Sequence, residues 1–217
     1  MKKAIIFDLD GLLIDSEIIS YNLYADLLRK YHLSFSLDTY IHSYSGKSGL
    51  TNMQTLIYTY RLPLSVEDGL AFIDVREKEY LAQGVALKAG AKELLRFLKN
   101  QNIRILLATS STRERAVGLL SQHDILSFFD AMVFGTEVER GKPFPDIFLK
   151  AQEKSGESAQ NCLVLEDSEA GIRAACSAGL DVICIPDMKK PEEPFLNAAT
   201  AVLPSLLDVP MWLEEHK

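Results

Sequence analysis

A chain of 217 residues has room for one large domain, or for one domain carrying a small insert. Hydrophobic residues make up 47% of it and charged residues 24%, as in an ordinary globular protein, and its formal net charge is −7. That acidic balance, with no run of Lys or Arg, excludes a nucleic acid or an anionic membrane as partner, but leaves room for a small phosphorylated metabolite gripped by a few local cations.

No apolar run approaches the ~20 residues of a membrane-spanning helix. Asp8 and Asp10 interrupt the apolar start too early for a signal peptide. Cys162, Cys176 and Cys184 form no CxxC and no metal-ligand spacing, so they read as reduced thiols in a cytoplasmic protein. His32, His42, His123 and His216 lack metal spacing as well.

Lys3–Leu9 is an apolar, β-branched run that predicts a first strand. Glu17–Tyr31 then predicts a helix with Ser16 as its N-cap. Further helices are expected over Leu37–Tyr44, Leu50–Tyr60 and Ser65–Gln83, with no strand among them. The pattern changes at Gly84. Helices over Ala89–Asn100, Arg113–Gln122, Asp146–Lys154 and Glu169–Ala178 alternate with strands Ile103–Ala108, Ala131–Phe134, Cys162–Leu165 and Val182–Ile185. Pro186–Pro194 reads as loop and Pro204–Glu215 as a last helix. Short apolar strands alternating with helices predict an α/β fold, a Rossmann-like parallel sheet with helices on both faces. The first strand belongs with the later ones. The division is therefore a core of residues 1–13 and 84–217 and an inserted all-helical cap of residues 14–83.

Ligands of an open parallel sheet bind beyond the carboxyl ends of its strands. Four predicted strand ends carry polar groups: Asp8 and Asp10, Thr109-Ser110-Ser111, Glu137 with the later Lys142, and Glu166-Asp167-Ser168. Two aspartates one residue apart at the end of a buried strand need a compensating cation or a shared proton. Asp8, Asp167 and Glu166 offer hard oxygen ligands of the kind Mg²⁺ takes. Thr109 and Ser110 offer hydroxyls and N–H groups to a phosphate, and Lys142, in the stiff Arg140-Gly141-Lys142-Pro143 loop, offers one ammonium. These parts suit an aspartyl-phosphate mechanism, in which a carboxylate nucleophile splits one displacement into two.

Phe7-Asp8-Leu9-Asp10-Gly11, Thr109-Ser110, Lys142-Pro143 and Glu166-Asp167-Ser168-Glu169-Ala170-Gly171 resemble, in order and spacing, the four motifs of the haloacid dehalogenase superfamily. The helical insert after the first motif is similar to the small cap of its β-phosphoglucomutase-like branch. The resemblance implies Asp8 as nucleophile, Asp10 as general acid/base, and Thr109 and Lys142 as holders of the phosphoryl group. It also implies Mg²⁺ bound by Asp8, the Asp10 carbonyl and Asp167, with Glu166 direct or through water. Asp10 points to phosphate rather than carbon–halogen chemistry, since true dehalogenases lack it.

The expected activity is a Mg²⁺-dependent phosphatase of a small phosphomonoester, a sugar or nucleoside phosphate. The alternative is a phosphosugar mutase. It is weakened because the mutase's cap histidine and arginine match Ser20 and Gly49 here. A receiver-type signalling module would be shorter and would phosphorylate an Asp at a later strand. The cap loop Tyr44–Leu50 is expected to reach the core site, with Lys47, Tyr44 and Arg76 as substrate contacts. Nothing in the chain requires more than a monomer.

Overall fold

The computed structural model describes residues 2–216. Strand β1 (Ala4–Phe7) is followed by four helices, α1 (Glu17–Arg29), α2 (Leu37–Ser43), α3 (Gly49–Tyr60) and α4 (Val66–Gln83). Helix and strand then alternate through α5 (Ala91–Asn100), β2 (Arg104–Thr109), α6 (Arg113–Gln122), β3 (Ala131–Phe134), α7 (Asp146–Ser155), β4 (Cys162–Glu166), α8 (Glu169–Ser177), β5 (Asp181–Cys184), α9 (Glu193–Ala198), β6 (Ala201–Val202) and α10 (Val209–Glu215).

All six strands pair in parallel, in the order β3-β2-β1-β4-β5-β6. This α/β sheet is the doubly wound arrangement the alternation predicts. Ala4 and Ile6 of β1 join a core with Phe148 and Ala151 of α7 and Ile172 of α8, while Ile5 and Phe7, of opposite pleat, are fully buried too. Burial of both pleats is why the strands are continuously apolar. Strand order reverses between β1 and β4, and this switch point opens a crevice at their carboxyl ends.

The chain divides into two compact units, residues 1–15 with 86–217 and residues 16–85. The boundaries fall two residues later than 13/14 and 83/84. Ile14 and Asp15 are held in the larger unit by a backbone bridge from Ile14 to Leu87 and a 2.9 Å hydrogen bond from the Asp15 N–H to the Ala86 carbonyl. The smaller unit is all-helical among its described residues. Its interior is aromatic: Phe35 packs edge-on to Tyr40, Tyr44 and Tyr60 and stacks on Tyr21. Across it, the buried Asp26 of α1 accepts hydrogen bonds from Arg76 and Tyr80 of α4.

Three local features depart from the sequence reading. Ser16 precedes α1, but its side chain makes no capping bond. The segment read as loop enters α9 at Glu193, with Pro194 in the first turn where a missing N–H costs nothing. The last helix starts at Val209, after a 3-10 turn over Leu206–Asp208.

Candidate active site

The polar groups at the strand ends all belong to the larger unit. Asp8 continues β1, its N–H donating to the Leu165 carbonyl at 3.1 Å. The chain then folds back sharply: Gly11, at φ +81°, donates to the Ile14 carbonyl. Only glycine serves here, for a Cβ at Gly11 would run into the Asp167 carboxylate and come within 3.2 Å of Asp187 Oδ2.

Lys142 Nζ lies 2.5 Å from Asp8 Oδ1 and 2.5 Å from Glu166 Oε1, with all three side chains buried. Its loop places it over the Phe148 ring, 4.9 Å from the centroid. The second Glu166 oxygen, Oε2, accepts from the N–H of Asp167, the N–H of Ser168 and the Ser168 hydroxyl, each at 2.9 Å. The same hydroxyl caps α8 by accepting from the Gly171 N–H at 3.1 Å. Gly171 leaves the space that Glu166 fills, since a Cβ there would fall inside the carboxyl group.

Oxygen atoms of Asp8, Glu166 and Asp167 come within 4.8 Å of one another. Burial pushes the Asp8 carboxyl from 3.8 up to about 7; Lys142 pulls against this and Glu166 adds to it. Loss of hydration raises Asp167 well above the usual carboxylate range, helped by Glu166, Asp8 and Asp187. Burial opposes the charged Lys142, yet Asp8 and Glu166 together hold it above the usual lysine range. With all three carboxylates ionised, one ammonium leaves two negative charges, the deficit that a dication cancels. The donors are all oxygen, which suits a hard cation such as Mg²⁺.

Asp10 faces different partners. Arg115 Nη1 donates to both of its carboxylate oxygens at 2.8 Å and the Ser111 hydroxyl donates to Oδ2 at 2.7 Å. Thr109 is buried at the end of β2, its hydroxyl accepting from the Ser111 N–H at 3.1 Å. Ser110 is exposed, and its carbonyl lies against Gly135 where no Cβ would fit. The cap of α6 is Thr112.

Sequence reading therefore named Asp8, Lys142, Glu166 and Asp167, which the fold gathers, named Ser111 as a polar group at a strand end without giving it a partner, and missed Arg115 and Asp187. Arg115 carried no signal: it reads as a helix-surface cation, and its partner is 105 residues away. Asp187 did carry one, an Asp just beyond an apolar strand. Glu137, in contrast, turns to Arg113 and Lys154.

In the smaller unit Lys47 donates to the Ser43 carbonyl at 2.6 Å. Tyr44 and Arg76, expected as substrate contacts, have other work. The Tyr44 ring is 2% exposed among aromatic neighbours, and Arg76 is paired with Asp26 and Glu79.

Residues 5–185 match the family described as haloacid dehalogenase-like hydrolase. A phosphorylated carbohydrates phosphatase of Thermotoga maritima is 30% identical over 83% of this chain and 83% of its own length. A protein of Drosophila melanogaster named as a pseudouridine-5'-phosphatase is 34% identical over 94% of this chain and 89% of its own. A hydrolase of this family from Deinococcus radiodurans, solved with phosphate and sodium, superposes with a TM-score of 0.85 at 25% identity, covering 99% of this chain and 96% of that one. With its parallel sheet and the acidic cluster at the switch point, the chain belongs to the haloacid dehalogenase-like hydrolases.

Proposed function

We propose that the protein is a Mg²⁺-dependent phosphatase of a small phosphomonoester, a sugar or nucleoside phosphate, working through an aspartyl phosphate on Asp8. The observation that carries this reading is Asp8 buried beside Lys142, within 4.8 Å of Glu166 and Asp167 oxygens. Asp8 and Asp167, with the Asp10 carbonyl, would hold the cation. Glu166, whose two oxygens already accept four hydrogen bonds, would act through water. Bound there, Mg²⁺ keeps Asp8 ionised and offsets charge on the phosphoryl oxygens.

An ionised Asp8 carboxylate attacks phosphorus, and the ester oxygen leaves. Lys142 balances negative charge where the phosphoryl group arrives, and the Thr109 hydroxyl and neighbouring N–H groups bind its oxygens. Asp10 gives a proton to the leaving oxygen and then takes one from the water that attacks the acyl phosphate. For the first half it must carry a proton, so Arg115 has to release it or yield it to substrate. The helical unit of residues 16–85 is assigned the selection of substrate, and the protein is assigned to the cytoplasm as a monomer.

A screen of phosphorylated sugars and nucleotides with Mg²⁺, reading both inorganic phosphate and isomerised ester, tests the reading. Phosphate release without a bisphosphate primer is expected. Isomerisation that requires the primer would make the protein a mutase instead.

A further inference from the structure

Beyond the three clustered carboxylates stands a fourth, Asp187, with no part in the aspartyl-phosphate chemistry. Asp187 lies past the end of β5, the strand next to β4, and Ile185 between them is tied to the Glu166 carbonyl by a 2.7 Å hydrogen bond. Its side chain is only 6% exposed. One oxygen, Oδ1, pairs with Lys88, which also reaches Asp15 at 3.8 Å. The other, Oδ2, is buried with no hydrogen-bond partner. A buried carboxylate oxygen without a donor is costly, so it marks a place where a donor belongs.

The direction of Oδ2 says which donor. It faces the spot above Gly11 that the Asp167 carboxylate also faces, 3.2 Å from where a Gly11 Cβ would stand. Asp187 adds to the negative field on Asp167, yet it is not among the three residues whose oxygens lie within mutual ligand distance. It stands beside Asp167 at Gly11 without joining that set. Pairing with Lys88 leaves it formally neutral as a couple, so the two-charge deficit of the inner cluster stands.

We propose that Asp187 is a positioning residue of the cation site, its Oδ2 accepting a hydrogen bond from a water bound to Mg²⁺ while Lys88 fixes the carboxylate through Oδ1. Mg²⁺ keeps several of its waters when bound by few carboxylates, and such a water has protons to donate. Groups that hold a metal's ligands commonly matter tenfold or more to affinity. The inference rests on the cation site proposed above.

The test is Mg²⁺ titration by calorimetry on the full chain, with melting temperature measured with and without Mg²⁺. Asp167→Asn should abolish binding. Asp187→Asn should weaken it about tenfold, while the metal-free protein melts no lower, because a charge beside Asp167 is gone. Lys88→Met should weaken Mg²⁺ about two- to fivefold even though a cation near the site is lost, since the carboxylate is no longer fixed through Oδ1, and should lower the metal-free melting temperature. If Asp187 serves only to anchor Lys88, both variants lose stability and neither moves the affinity, which overturns the proposal. Should Asp187→Asn not fold, Lys88→Met decides, and unchanged or tighter binding there overturns it. Failure of the unaltered protein to bind Mg²⁺ would instead remove the cation site itself.

Discussion

Asp8 has two tasks that conflict without a cation. A nucleophile must be ionised, but burial brings its titration to about 7, so the metal-free site holds it half-protonated near neutrality. The consequence is a stability that depends on pH. A carboxylate whose folded pKa is raised binds more protons folded than unfolded between its ordinary value and the raised one. Folding therefore weakens as pH rises through that interval. Asp8 and Asp167 act in this same sense. The metal-free melting temperature should fall between about pH 5 and pH 7.5, and Mg²⁺ should restore it, by more at the upper end. A melting series at several pH values, with chelator and with Mg²⁺, checks this; a flat metal-free profile would contradict it. The carboxylates pulled down by cations, Asp26, Asp130 and Glu137, do not interfere, since their stabilisation is lost only in more acidic solution.

The turns between elements fix the site as firmly as the charges do. Gly171, in the first turn of α8, stands where Glu166 needs room, and Ser168 caps that helix while holding Glu166. Gly171→Ala should cost about 2 kcal/mol or more, by forcing Glu166 off its donors, and should weaken Mg²⁺ binding with it. Urea unfolding and Mg²⁺ titration measure the two effects together. In the smaller unit, Asp26→Ala removes the partner of both Arg76 and Tyr80 between α1 and α4. A loss of about 1–3 kcal/mol is expected, read as faster hydrogen exchange in those two helices with Mg²⁺ affinity unchanged.

Legibility from sequence followed the same scale. Strands β1 to β5 showed themselves as apolar runs because they are buried on both pleats. β6 has two residues and is half exposed, too short for any pattern. α9 was hidden by the prolines and charges of its approach. Carboxylates at strand ends were legible because topology alone sends strand ends to one crevice. Pairings made by helix side chains, such as Arg115 with Asp10, depend on how α6 is rotated against the sheet, which no local pattern encodes.

At the scale of the whole molecule, a chain with net charge −7 concentrates unpaired negative charge at one switch point and offers one buried ammonium there. That is a poor way to gain stability and an effective way to bind a dication and a phosphoryl group in turn. Turnover in this scheme depends on Asp8 as nucleophile. The most direct measurement is acid-quenched mass analysis, with Mg²⁺ and a phosphomonoester that the protein hydrolyses, run beside phosphate release by the unaltered chain and by Asp8→Asn. A phosphoryl group on the peptide carrying Asp8 is expected, with turnover at least about 10³-fold slower in the folded variant. Release by Asp8→Asn within tenfold of the unaltered chain, with no phosphoryl group on that peptide, would contradict it.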